Sequence, residues 1–448
     1  MSDQRQQLFS PITAVSIVIA NMVGTGVFTS LGFQLADIES GFVLLMLWVV
    51  GGVTAYCGAM CYAELGAALP RSGGEYHFLG RIFHPAAGFV SGWISATVGF
   101  AGPTALAAIT FATYLTSALW PAYADGPLVQ TLAVVLVALL TVVHATHRRT
   151  SGSVQVLFTA LKVVLIILFC VLAVSLTDVP QTVRFTPADG DGKLLLSGAF
   201  AVSLIYVSYA YTGWNVATYL SSELQEPQRW LPTVLGVGTL LVILLYLALN
   251  YVFLYAAPID AMRGEVEVGF IAANYAFGGI GARIMGVVLA LLLISTVSAM
   301  IIAGPRVYQA IGQDHALFRQ LAHTNRYGVP AFSIYLQGAL TILFILTSPF
   351  QFILLFSGFT LALNTLGTVV GLFVLRYTEP DLARPFRVPL YPLVPIVFLA
   401  LTGWTLIFVT RSEPMAALVG LGVIVAGLVF YAVAGRTDKR TADESASY

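Results

Sequence analysis

Charge is scarce in this chain. Aspartate, glutamate, lysine and arginine together make up 9% of its 448 residues, where a soluble domain carries nearer 25%. With 58% hydrophobic residues, this excludes a soluble globular protein and marks a polytopic membrane protein, with the lipid bilayer as its surroundings. The few charges balance, 21 basic against 21 acidic, so nothing points to nucleic acid. Cysteine is nearly absent. Cys57, Cys61 and Cys170 all lie inside apolar stretches, where none can supply an extracellular disulfide. HExxH and GxSxG are missing, so membrane-embedded hydrolysis lacks its residues, and neither an enzyme nor a cofactor is expected. The six histidines fall in or beside the expected inner loops. His144 and His147, next to Arg148 and Arg149, read as an inner-face basic patch rather than a metal site. No A-x-A-like cleavage site precedes the first apolar segment, so the N-terminus is expected to stay uncleaved.

What the chain has in abundance is apolar segments long enough to cross a bilayer, which takes about 17–25 residues each. Twelve are expected, over 12–36, 41–66, 87–117, 128–146, 153–177, 197–222, 232–257, 282–311, 329–347, 350–375, 391–411 and 414–434. Val268–Gly281 is apolar but short, and reads as an external helix lying on the protein. The polar tail from Gly435 is expected to be disordered. With an interior N-terminus, inner segments hold fifteen Lys and Arg and outer segments five. That bias puts both termini in the cytoplasm, and the even number of spans agrees.

One charge interrupts this pattern. Val154–Leu176 contains Lys162 and no other charged residue. An ammonium at mid-bilayer costs roughly 2.5–3.5 kcal/mol on insertion scales, so it is expected to have a function. The bland alternative is that it snorkels to an interface.

Two spans also carry weak points. Asn21–Phe28 places Gly24 and Gly26 around Thr25, and Tyr209–Asn215 contains Thr212 and Gly213. Each glycine costs a helix about 1 kcal/mol, but single glycines are common packing residues in membrane helices. Their positions carry more weight. The breaks fall in spans one and six, which correspond if spans one to five repeat, inverted, as spans six to ten. Paired interruptions of this kind point to a transporter's central site. The first break would offer N–H groups and a hydroxyl to an anion, and the sixth would offer carbonyls to a cation. A small zwitterion satisfies both. No carboxylate sits at the centre of any span, since Glu64 and Glu223 lie at inner ends. A cationic substrate is therefore less favoured.

At these residues the chain resembles the amino acid–polyamine–organocation transporter superfamily, and most closely its L-amino-acid transporter branch. GTGVF in span one, CYAELGAALPRSGGEY at 61–76, FTALK at 158–162, YAYTGWN followed by EL-x-EP, AGPRVY at 303–308 and LRYTEPDLARPFRVPLYP at 375–392 occur in the family's order. The resemblance implies an all-α integral membrane fold with a five-plus-five inverted-repeat core and two peripheral helices. The chain then divides into an N-terminal segment 1–11, a first repeat 12–177, an outer loop 178–196, a second repeat 197–375, an inner loop 376–390, two last spans within 391–434 and a tail 435–448.

The implied activity is sodium-independent transport of a neutral L-amino acid across the plasma membrane by alternating access, with exchange and proton coupling both open. A cationic amino acid or polyamine carrier, or a non-transporting sensor of the same fold, are the alternatives. Carried over by resemblance, the substrate carboxylate should meet Thr25 and the Gly26 N–H, with Gly24 allowing the turn. Its ammonium should meet the carbonyls of Met22, Tyr209 and Thr212. Tyr209 stands at the aromatic gate and Asn215 beside the pocket. Lys162 stands where sodium-coupled relatives hold a sodium ion, bridging span one to span eight, where Ser295 and Thr296 are candidates. Asn21, Thr212 and Tyr209 depart from common family residues, so local bonding and pocket width should differ. The heteromeric members carry a cysteine in the outer loop after span three. Residues 118–127 hold none, so no disulfide-linked accessory subunit is expected.

Overall fold

The computed structural model describes residues 10–124, 126–146, 152–326 and 328–446. Arg5 and the His147–Arg148–Arg149 part of the basic patch lie outside them. The described chain is all helical, without strands. Ten helical stretches are long and apolar enough to cross a membrane. The remaining two expected crossings fall on shorter apolar helices, Gly198–Ala210 and Ala331–Thr347. The first is short because the sixth segment breaks after Ala210.

In chain order the helices that position the site begin with α1 (Pro11–Met22), α2 (Gly26–Gln34), α3 (Gly41–Ala68), α4 (Glu75–Ile82), α5 (Pro85–Ile94) and α6 (Ala101–Leu119). They continue with α7 (Pro127–Thr146), α8 (Gly152–Leu176), α9 (Asp191–Leu195), α10 (Gly198–Ala210), α11 (Val216–Tyr219), α12 (Pro227–Ala256), α13 (Ile259–Met262) and α14 (Val268–Asp314). A π-helical turn at Ser95–Gly99 joins α5 to α6. Further on come α15 (Arg319–Ala322), α16 (Ala331–Thr347), α17 (Phe350–Thr378), α18 (Leu393–Ser412) and α19 (Pro414–Ala446). Inside α14 the backbone turns at Gly278, with φ 70° and ψ −179°. This separates the short segment read as an external helix from the span that follows. Helix α19 runs on to Ala446, so the stretch after Gly435 that was expected to be disordered is helical.

Packing follows the apolar pattern. Helix α3 lies along α12, α6 along α14, α1 against α12 and α8, and α2 against α10. Helix α8 shows why Lys162 faces inward. Lys162, Ile166, Phe169 and Ala173 are buried, while Leu161, Val164, Ile167, Leu168 and Val171 are exposed. Steps of three and four residues keep the buried set on one face. The opposite face is an uninterrupted apolar surface of the kind lipid covers.

Near the C-terminal end of α3, Glu64 is 1% exposed. It accepts two hydrogen bonds from Arg376 at 2.8 and 2.5 Å and one from the Val388 N–H at 2.7 Å. Arg384 lies 3.5 Å from the same carboxylate and donates to the carbonyls of Leu375, Glu379, Pro380 and Leu382. The segment after α17 is thereby tied to α3 and closes the end of α17. Glu223, by contrast, forms an exposed pair with Arg306.

Candidate substrate site at two broken helices

The first break is three residues long. Val23 leaves helical geometry with φ −74° and ψ 79°, and the Gly24 N–H folds back to the Met22 carbonyl at 2.8 Å. Helix α2 then starts, and the Phe28 N–H bonds the Thr25 carbonyl at 2.9 Å. The N–H groups of Thr25 and Gly26 precede that bond and find no acceptor among the described residues, as expected at a helix N-terminus. Thr25 is 5% exposed and Tyr209 4%, and the Tyr209 phenol lies within reach of the Thr25 side chain. Gly26 lets α2 press on the end of α10: a Cβ there would sit 2.5 Å from the Ala210 Cα.

The second break runs through Tyr211–Asn215. The Tyr209 carbonyl accepts both the Thr212 N–H (2.9 Å) and the Thr212 hydroxyl (2.7 Å). Gly213 has φ +101°, and a Cβ there would fall 2.9 Å from the carbonyl of Asn21. Both the left-handed backbone and the close approach to span one therefore require glycine. The Asn21 amide bonds its own helix, donating to the Ile17 carbonyl at 2.9 Å.

Lys162 reaches this junction from α8. Its ammonium is buried and donates to the Thr296 hydroxyl at 2.8 Å and to the Val23 carbonyl at 3.4 Å. It joins the first break to α14 and does not turn out to an interface. Ser295, the other candidate, instead bonds the Leu292 carbonyl of its own helix at 2.7 Å.

Two residues that sequence reasoning missed complete the arrangement. Tyr246, in the middle of α12, is fully buried. Its hydroxyl lies 2.5 Å from the Met22 carbonyl and 3.1 Å from the Ala210 carbonyl. One proton is thus shared between the broken ends of both spans. The only sequence signal was a tyrosine within an otherwise aliphatic run. Glu75, at the head of α4, is 1% exposed. It accepts from Tyr62 (2.9 Å), Asn215 (2.5 Å) and Tyr219. The glycine pair before it folds α4 inward: Gly74 has φ +52°, and a Cβ there would meet the Tyr219 ring at 2.9 Å. Ser95, in the π-helical turn, lies 3.4 Å from the Tyr219 hydroxyl. Such turns frequently mark functional sites.

The structure therefore gathers Met22, Gly24, Thr25, Gly26, Tyr209, Thr212, Lys162 and Thr296 around two facing breaks, with Asn215 at the far end of the second. Of the three carbonyls expected to meet an ammonium, those of Met22 and Tyr209 each accept two internal bonds already. The Thr212 carbonyl accepts none among the described residues.

A family model described as "Amino acid permease" matches residues 9–433. The "Large neutral amino acids transporter small subunit 2" of Rattus norvegicus is 30% identical over 429 residues, covering 94% of this chain and 79% of the relative. The "b(0,+)-type amino acid transporter 1" of Mus musculus is 27% identical over 432 residues, covering 94% and 86%. The "Asc-type amino acid transporter 1" of Mus musculus is 29% identical over 435 residues, covering 94% and 79%. With its ordered motifs and paired helix breaks, the chain belongs to the amino acid permease family, in the L-amino-acid transporter branch of the amino acid–polyamine–organocation superfamily.

Proposed function

We propose that this protein carries neutral L-amino acids across the plasma membrane by alternating access, without sodium. The observation that carries this reading is the buried Lys162 ammonium between the Val23 carbonyl and the Thr296 hydroxyl. A fixed cation at the first break supplies the positive charge that a coupling sodium ion would otherwise bring. Above it, the Thr25 hydroxyl and the N–H groups of Thr25 and Gly26 suit a carboxylate. The Thr212 carbonyl at the second break, which accepts no hydrogen bond among the described residues, suits an ammonium.

The proposed architecture has twelve spans, a five-plus-five inverted repeat over 12–177 and 197–375, two peripheral helices within 391–434, and both termini in the cytoplasm. Helices α10 and α16 supply the two short crossings. The rat relative's name makes it a small subunit. This chain has no cysteine in residues 118–127, and we propose that it works without a disulfide-linked partner.

A cationic amino acid carrier is the second reading, and Glu75 is the observation in its favour, since it brings a carboxylate near the site. Three donors already occupy that carboxylate, so the neutral reading stands.

Uptake of a panel of amino acids into proteoliposomes tests the proposal. Neutral amino acids should enter equally well when sodium is replaced by choline. Their methyl esters and N-acetyl derivatives should compete poorly, because the site needs both charged ends. Stimulation by an amino acid on the far side identifies exchange, and substrate-driven proton entry identifies symport. Sodium-dependent uptake, or inhibition by an ester as strong as by its parent, overturns the reading.

A further inference from the structure

Glu75 belongs to a loop helix rather than to a span, yet it ends up buried against the second half of the broken sixth span. Its carboxylate takes donors from two directions. Tyr62 comes from α3, while Asn215 and Tyr219 come from the far side of the break. No Lys or Arg is among its partners.

This has a consequence for Asn215. A side-chain amide has one donor end and one acceptor end. The Glu75 oxygen 2.5 Å away accepts from Nδ2. Turned by 180°, the amide would set Oδ1 against a carboxylate oxygen. The donor end is therefore committed to Glu75, and the acceptor end must face away from it. That Oδ1 accepts no hydrogen bond among the described residues. Asn215 is half-buried, three residues beyond Thr212 and its free carbonyl.

We propose that Glu75 is a positioning residue that turns the Asn215 amide so that Oδ1 faces the bound substrate, and that the site consequently prefers amino acids whose side chain donates a hydrogen bond. This rests on the amino acid reading above and narrows it. Threonine, serine, asparagine and glutamine satisfy the acceptor. A purely apolar side chain of the same size leaves it unpaired, and a site built around a hydrogen bond discriminates against analogues that lack it.

Threonine and valine make the sharpest test, because they have the same shape and differ by one hydroxyl. The experiment measures kcat/KM for each in proteoliposomes. In the wild type threonine should be preferred by about two- to ten-fold, the worth of one neutral hydrogen bond. Glu75→Gln offers Asn215 either a donor or an acceptor, which releases its orientation, and the threonine-to-valine ratio should fall to about one. Asn215→Leu should bring the same fall, and Glu75→Gln added to Asn215→Leu should then leave the ratio unchanged. A merely structural role would lower both substrates alike and leave the ratio where it was, which would overturn the assignment. If Glu75→Gln does not fold, Glu75→Asp, whose carboxylate is withdrawn from Asn215 by one methylene, takes its place: the ratio should fall, and an unchanged ratio overturns the positioning role. Equal handling of threonine and valine by the wild type overturns the preference while amino acid transport stands. Absence of any amino acid uptake removes both.

Discussion

At the break in the first span, the freed carbonyls of Met22 and Val23 draw on side chains from other helices. At the break in the sixth, the Tyr209 carbonyl is held by the break's own Thr212. Met22 and Val23 depend on Tyr246 of α12 and Lys162 of α8, whereas Tyr209 is satisfied by Thr212 three residues on. Unwound backbone inside a membrane must find partners, and the source of those partners decides what moves together. The first break is a junction of four helices, so a change at Lys162 or Tyr246 is felt at the head of α2. At the second break the Tyr209 carbonyl is closed locally, while the Ala210 carbonyl shares the Tyr246 hydroxyl, Tyr211 donates to the Trp48 carbonyl of α3, and the far end, at Asn215 and Tyr219, is tied to Glu75. The first break therefore offers donors to a ligand and has its Met22 and Val23 carbonyls committed. At the second, the Tyr211, Thr212 and Trp214 carbonyls accept no hydrogen bond among the described residues.

If this contrast is right, removing an outside support from the first break should do the most damage. Lys162→Ala leaves the Thr296 hydroxyl and the Val23 carbonyl without the cation that joins them. Insertion should survive, because an apolar α8 enters the bilayer more easily than a charged one, but uptake should be lost. Full uptake by a well-expressed Lys162→Ala protein would mean that the ammonium is only a packing element. Thr25→Val is nearly isosteric and deletes the hydroxyl beside the proposed carboxylate position. A hydrogen bond to a charged group is worth about 1.5–3 kcal/mol, so apparent affinity should fall about ten- to a hundred-fold. An unchanged KM would show that Thr25 does not touch substrate. Tyr246→Phe keeps the ring and removes the proton shared by the two broken ends. Hydrogen bonds between membrane helices average about 0.6 kcal/mol and reach about 1.7. Uptake should therefore drop by roughly three- to twenty-fold, with little change in protein yield. A Tyr246→Phe protein as fast as wild type would show that Lys162 alone supports the first break.

Much of this was legible in the sequence, for physical reasons that differ from residue to residue. Lys162 stood out because an isolated charge in an apolar run has few explanations. Gly24, Gly26 and Gly213 marked the breaks because glycine weakens a helix and permits positive φ. Helix limits followed hydropathy closely, and failed where hydropathy says little. The polar residues after Gly435 were read as disordered although the helix runs to Ala446. Tyr246 and Glu75 were hidden for another reason. A tyrosine in a span is unremarkable until the chain brings two carbonyls to its hydroxyl. Glu75 sits in a loop sequence, SGGEY, whose burial depends on the fold turning α4 under Tyr219. Ser295 and Thr296 could not be separated by position, and the helix rotation that gives Lys162 only Thr296 is a tertiary property.

The smallest effect is expected at the second break, and it has the opposite sign. Thr212 uses its hydroxyl on the Tyr209 carbonyl, which also receives the Thr212 N–H. Thr212→Val keeps the β-branched shape and the N–H bond but releases one lone pair of that carbonyl. If the second break is closed by its own residues, the freed lone pair faces the place proposed for the substrate ammonium. Losing one neutral internal bond costs about 0.5–1.5 kcal/mol, and a new bond to a charged ammonium returns at least as much. Apparent KM should therefore stay level or fall by up to about three-fold, while Thr25→Val on the other side raises it. A tenfold rise in KM for Thr212→Val would place the hydroxyl itself on the substrate. The two breaks would then share one role, and the contrast between an externally held and a self-held break would be wrong.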